Sequence, residues 1–123
     1  MCGIAGWIDF SRDLTLERPT VEAMTGSLQR RGPDADGVWL APHVGLGHQR
    51  LAIVDLEGGR QPMVARRRAG RAAPVVLTYS GEVYNFRELR AQLSSRGHRF
   101  ETTSDTEVVL HAYLEWGWPS STI

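Results

Sequence analysis

A chain of 123 residues, 41% hydrophobic and 23% charged, has the size and composition of one soluble globular domain. Its 14 cationic side chains, all Arg, balance 14 acidic ones, which excludes a net field steering it to nucleic acid and, without Lys, a Walker-A loop, a Schiff base or a Ser–Lys dyad. One Cys excludes an intrachain disulfide and suits a reducing compartment; with no apolar run of roughly 18–20 residues and no signal peptide at Met1-Cys2-Gly3-Ile4, the expectation is a cytoplasmic domain off the membrane.

Gly3 to Phe10 is short and apolar (Ile4, Trp7, Ile8, Phe10) and predicts a buried strand. Pro19 suits a helix's first turn, and Val21, Met24 and Leu28 follow at helical spacing, so a helix is predicted up to Arg31-Gly32-Pro33. Strands are predicted at Val38 to Leu40 and Val44 to Val54, joined by a turn at Ala41-Pro42-His43. The polar stretch from Leu56 to Ala73, with Gly58-Gly59, Pro62 and Arg66-Arg67-Arg68, predicts a loop.

Pro74 to Tyr79 is the clearest strand signal, broken by Ser80-Gly81-Glu82. Asn85 is a candidate cap for a helix running to Arg96, with Gly97 as its stop. Ser104 and Glu107 form a capping-box pattern ahead of Val108, Val109, Leu110, Ala112, Tyr113 and Leu114. Strands mixed with helices and hairpin-length connections predict an α+β layered fold rather than a parallel repeat. Trp7, Trp39 and the valine-rich strand are expected in the core. Residues 117–123 carry no periodicity and read as a truncated or divergent tail.

Cys2 becomes the amino terminus once an initiator Met is removed. An α-amine of pKa about 7.7–8.0 is partly neutral at pH 7 and able to take the thiol proton. A thiol is already the most nucleophilic side chain, so one residue supplies both nucleophile and base. Taken alone, a Cys near a chain start is more often incidental.

Six separated blocks change that weighting. They are Met1-Cys2-Gly3-Ile4-Ala5-Gly6; Arg31-Gly32-Pro33-Asp34 followed by Gly37; and Leu46-Gly47-His48-Gln49-Arg50-Leu51-Ala52-Ile53-Val54-Asp55. Then come Gln61-Pro62-Met63, Ser80-Gly81-Glu82-Val83-Tyr84-Asn85 and Ser104-Asp105-Thr106-Glu107. In this order they resemble the glutaminase domain of glutamine-hydrolysing asparagine synthetases, a class II glutamine amidotransferase with an N-terminal nucleophile. The resemblance runs over residues 2–116. It implies the family's four-layer αββα sandwich, expected here to be incomplete at the C-terminus.

By that resemblance, Cys2 attacks the side-chain amide of L-glutamine, forms a thioester and releases ammonia. An oxyanion needs donors aimed at it; the family's Asn side chain and following Gly N–H correspond to Ser80 and Gly81. Ser80 departs from the pattern, because a hydroxyl offers one donor on a shorter arm. Arg50 corresponds to the clamp on the substrate α-carboxylate, a role its planar fork suits. Glu82 and Asp105 correspond to the acids that receive the α-ammonium, and the backbone of Leu51, Ala52, Ile53 and Val54 to the pocket lining.

Asp105 reads equally as a helix N-terminal acid. Ser104 and Glu107 are assigned to capping. His43, His48, His98 and His111 are too scattered in sequence for a metal site and are expected to be structural or solvated. Arg66 to Arg68 is expected to be a solvated loop. The ammonia would feed ATP-dependent amidation of aspartate by a C-terminal synthetase domain. ATP and magnesium are implied for that domain, and these residues carry no Ser-Gly-Gly-x-Asp-Ser loop to hold them. A homodimer is one arrangement the resemblance allows. The alternative, from another class, is a non-catalytic fragment that binds only glutamine or a partner.

Overall fold

A computed structural model describes residues 2–51, 59–65 and 74–117. Within them lie two antiparallel sheets and three α-helices, an α+β arrangement. The chain divides into two compact units.

The first unit comprises Met1–Ile53, Arg60–Pro62 and Thr78–Gly81. Its sheet has the order β1-β3-β2, from β1 (Gly3–Ile8), β2 (Ala35–Ala41) and β3 (Val44–Arg50). Pro42 and His43 alone separate the paired Ala41 and Val44, so β2 and β3 form a tight hairpin. The central strand β3 pairs with β1 from Ile8 opposite Val44 to Gly3 opposite Gln49. Continuing that ladder one residue brings Cys2 to the end of β3.

Helix α1 (Arg18–Gly26) packs on this sheet. The absence of side chains on the sheet lets it come close: Leu28 covers Gly3, Val21 covers Gly45 and Thr25 covers Gly47. Leu14 and Val21 are fully buried beneath it. Burying side chains of this size is worth roughly 1.5–3 kcal/mol each.

The second unit comprises Val54–Gly59, Met63–Leu77 and Glu82–Ile123. A two-stranded ladder joins β4 (Met63–Ala65) to β5 (Val75–Leu77). Helix α3 (Asp105–Trp116) lies against both strands and against α2 (Phe86–Ser95). Leu89 and Leu93 of α2 meet Val108 and Ala112 of α3 in a buried cluster, with Val83, Phe86, Phe100 and Trp116 around it. Spacings of four residues on each helix place these pairs on one face.

Helix ends follow local chemistry. Gly97, at φ 97°, closes α2: its N–H donates to Ser94 O, and the His98 N–H reaches back to Leu93 O. This is a Schellman ending, which a side chain at that φ would strain. Ser104 caps α3 by accepting from Thr106 N–H.

Several boundaries differ from expectation. β1 stops at Ile8 because the Asp9 carboxylate accepts from both the N–H and the hydroxyl of Ser11, turning the chain. Phe10 is consequently 82% exposed, and Ile4 and Ile8 also face outward in this unit. Trp7 and Trp39 are half-buried rather than core. Helix α1 ends at Gly26 and passes into turns; Leu28 owes its helical spacing to its contact with Gly3. β2 is longer than expected and β3 stops at Arg50. The predicted loop contains strand β4. The predicted strand at 74–79 narrows to Val75–Leu77. Asn85 sits at the start of α2, but its side chain makes no capping hydrogen bond. The strand end at 52–54, the Arg66–Arg68 segment and the tail beyond Gly117 lie outside the described residues.

Candidate active site

The amino-terminal end of β1 and the carboxy-terminal end of β3 meet where the sheet ladder finishes. There the Leu51 N–H donates to Cys2 Sγ at 3.3 Å, and Sγ lies 3.6 Å from Leu51 O. The sulfur thus meets one backbone donor and one carbonyl acceptor of the same residue. Cys2 is free of disulfide and partly accessible.

Arg50 is the last residue of β3 and only 5% exposed. Its backbone is fixed by the Asp34 N–H, which donates to Arg50 O at 2.9 Å. Gly32 explains why the Arg31-Gly32-Pro33-Asp34 block precedes this contact. A Cβ on Gly32 would collide with the backbone of Gln49 and Arg50. Only glycine lets the turn lie against the strand end at that distance.

The segment Thr78–Ser80 is tied into the first unit at three successive residues. Thr78 Oγ1 donates to Gly47 O at 3.3 Å, Tyr79 N–H donates to Gln61 Oε1, and Ser80 Oγ donates to Cys2 O at 3.1 Å. The Gln61 contact gives the Gln61-Pro62 block a role: it holds the strand exit that leads to Ser80. Ser80 and Gly81 are exposed.

His48 belongs to this anchoring and is not a solvated residue. It is 1% exposed, and its Nδ1 lies 3.0 Å from Thr78 Oγ1. Because the Thr78 hydroxyl proton goes to Gly47 O, its oxygen is left to accept, and His48 carries its proton on Nδ1. Its Nε2 is buried without a hydrogen-bond partner among the described residues. Burial, helped by the nearby Arg50 charge, lowers its pKa to about 4. It is therefore a neutral imidazole at physiological pH. Its place after Gly47 in the Gly47-His48-Gln49-Arg50 run is the sequence signal for it.

Glu82 and Asp105 lie in the second unit. Asp105 opens α3, and its Oδ2 accepts from Val83 N–H at 3.1 Å, fixing the residue next to exposed Glu82. Asp105 thus does more than complement a helix terminus. Glu107 does not close a capping box; its carboxylate accepts from Glu101 N–H, Thr102 N–H and the Thr102 hydroxyl. The Ser104 N–H goes to Thr102 Oγ1 instead.

Two of the four histidines are brought together. His98 and His111 approach at 2.8 Å between their Nδ1 atoms, with Glu115 and Glu107 beside their Nε2 atoms. Burial lowers the His111 pKa, partly opposed by the Glu107 charge. Among the described residues, no group of three or more His, Cys, Asp or Glu is placed to hold a metal ion. Ala52, Ile53 and Val54 lie outside the described residues.

Residues 1–122 fit a family model described as a glutamine amidotransferase domain. The chain is 52% identical over 116 residues to asparagine synthetase [glutamine-hydrolyzing] 3 of Bacillus subtilis, covering 94% of this chain and 18% of that protein. It is 39% identical over 117 residues to asparagine synthetase [glutamine-hydrolyzing] 2 of Oryza sativa subsp. japonica, covering 95% and 19%. For asparagine synthetase [glutamine-hydrolyzing] 1 of Arabidopsis thaliana the identity is 38%, with the same coverage. The chain therefore spans about a fifth of the length of these relatives. With the family match running over residues 1–122, the chain belongs to the glutamine amidotransferase domain family and is homologous to the glutaminase part of asparagine synthetases.

Proposed function

We propose that this chain hydrolyses L-glutamine to glutamate and ammonia through a thioester on Cys2. The observation that carries this reading is the meeting of Cys2 Sγ with the Leu51 peptide, one residue beyond buried Arg50. A nucleophile and a guanidinium clamp then share one strand end.

With Met1 removed, the Cys2 α-amine takes the thiol proton. Sγ bonds to the carbonyl carbon of the glutamine side chain, and the carbonyl electrons move to oxygen. The Gly81 N–H is assigned to this oxyanion. The resemblance adds the Ser80 hydroxyl as a second donor, a role that requires it to turn away from Cys2 O. Collapse breaks the C–N bond, and the nitrogen leaves as ammonia with the proton held by the α-ammonium. Water then attacks the thioester carbon, releasing glutamate and restoring the thiol.

Arg50 is assigned to the substrate α-carboxylate, where two parallel N–H donors match two oxygens. Glu82 and Asp105 are assigned to the α-ammonium, and the backbone from Leu51 to Val54 to the pocket lining. The two antiparallel sheets with their helices are compatible with the family's four-layer αββα sandwich.

The relatives are named both for hydrolysing glutamine and for synthesising asparagine, and the second activity gives the ammonia a destination. We propose that this chain serves a synthetase region of that kind. ATP and magnesium belong to that reaction, and the residues here do not fit them, lacking both a nucleotide loop and Lys.

The test is glutamine turnover by the processed chain beside Cys2→Ala. Intact mass must show Met1 removed, because an acylated nitrogen has its lone pair delocalised into the carbonyl and is not basic enough to take the thiol proton. Turnover in the parent and none in Cys2→Ala is expected; equal turnover in both would reject the thioester route.

A further inference from the structure

We propose that Ser80 is a positioning residue for the nucleophile: its hydroxyl clamps the backbone of Cys2 rather than donating to the oxyanion. The inference rests on the glutaminase reading, because it concerns how that nucleophile is held.

A serine hydroxyl has one proton, and here it lies on Cys2 O at 3.1 Å. The donor that the family resemblance would aim at a tetrahedral intermediate is spent on the residue that makes it. An Asn amide carries two N–H donors and can serve two acceptors; Ser must choose.

Three observations give the contact mechanical meaning. Cys2 precedes β1, whose first ladder pair is Gly3 with Gln49, so the ladder alone does not hold its carbonyl. Ser80 is itself held, because Tyr79 N–H is fixed by Gln61 and Thr78 is fixed by His48 and Gly47. Its hydroxyl therefore connects a rigid segment to a terminal residue. Third, the Leu51 N–H to Sγ contact depends on the rotation of the Cys2 backbone. Releasing Cys2 O frees that rotation, and the sulfur loses its fixed relation to both the Leu51 N–H and the α-amine. Buried His48 is the base of this series, since its Nδ1–H sets Thr78 two residues before Ser80.

Alkylation separates the two roles. Iodoacetamide reacts with a thiolate by direct displacement and forms no oxyanion, so an oxyanion donor contributes nothing to its rate. Cys2 is the single cysteine of the chain, so the adduct reports one site. The experiment measures iodoacetamide alkylation of the processed full chain, with Ser80→Ala and Ser80→Thr beside the parent, and records a melting curve and glutamine turnover for each.

The clamp predicts that Ser80→Ala alkylates about three- to tenfold more slowly, the weight of one neutral hydrogen bond. It predicts that Ser80→Thr, which keeps the hydroxyl, stays within about twofold of the parent, with a cooperative melt in all three and Ser80→Ala lower by no more than several degrees. Alkylation as fast in Ser80→Ala as in the parent overturns the proposal. If turnover in that variant also falls by about 10²–10³, the hydroxyl is an oxyanion donor after all. A parent without glutamine turnover whose alkylation still depends on Ser80 would retain the clamp and reject the glutaminase reading alone.

Discussion

Arg50 and His48 lie two residues apart on β3; His48 anchors Thr78, and Arg50 is the clamp proposed for the substrate. If Arg50 forks onto the substrate carboxylate, Arg50→Lys keeps the charge but loses the paired geometry. The expected result is a KM for glutamine raised about 10- to 100-fold, the span of one charge-assisted hydrogen bond. The change in kcat should be smaller, because the α-carboxylate is remote from the bond that breaks. Steady-state kinetics on the two proteins checks this.

His48 gives a pH signature. Its folded pKa is near 4, against about 6.5 in an unfolded chain. The unfolded chain therefore binds a proton between those values that the folded chain refuses. Stability from this group is complete above pH 6.5 and is lost as pH falls toward 4, by an amount on the order of 3 kcal/mol. His48→Asn, which keeps a donor at the Nδ1 position for Thr78, should flatten that slope in urea unfolding between pH 7 and pH 4. An unchanged slope would mean that other groups cause the acid loss.

Elements in this chain are fixed at their ends. Gly32→Ala forces the Arg31–Asp34 turn away from β3, because the added methyl meets backbone atoms of Gln49 and Arg50. The expected cost is about 1–3 kcal/mol, with a raised KM for glutamine because the Asp34 N–H bond to Arg50 O is strained. In the second unit, Glu107 ties α3 to the Glu101–Thr102 loop through three donors. Glu107→Ala leaves those groups to water or unpaired and should cost about 2–3 kcal/mol. Denaturant midpoints measure both, and hydrogen exchange at residues 101 and 102 should rise in the second variant.

These end contacts also explain what the sequence concealed. Helices were legible from apolar spacing at Val21 and from the apolar run after Ser104 that includes Val108 and Ala112, all three buried. The Ser104 cap and the Gly97 stop were legible from single residues. Strand β4 was not, because three residues between Pro62 and an Arg run give no period. Phe10 read as strand because hydropathy does not register the Asp9–Ser11 turn. Glu107 read as a capping partner because its spacing from Ser104 is right, while its hydrogen bonds go to the preceding loop. His98 and His111, 13 residues apart, meet only after the Schellman turn reverses the chain.

For the whole molecule, six blocks far apart in sequence become contacts rather than motifs. In the first unit, Cys2, Gly32, Arg50, Gln61 and Ser80 are linked through backbone hydrogen bonds and close approaches around one strand end. Cys2 and Arg50 stood out as candidates in the sequence because a thiol beside an α-amine and a guanidinium fork each suit one chemistry. The supports did not: His48, Thr78 and Gln61 act through partners that only the fold brings near. Among the described residues, no helix is long and apolar enough to cross a membrane.

The central claim is that Cys2 carries the glutamyl group during turnover. Processed chain mixed with L-glutamine, quenched in acid within the steady state and read by intact mass, tests it directly. The predicted result is a fraction of chains heavier by one glutamyl group, mapped to the Cys2 peptide and removed by neutral hydroxylamine. Steady glutamate production with no such adduct in the parent, or with undiminished rate in Cys2→Ala, would contradict it.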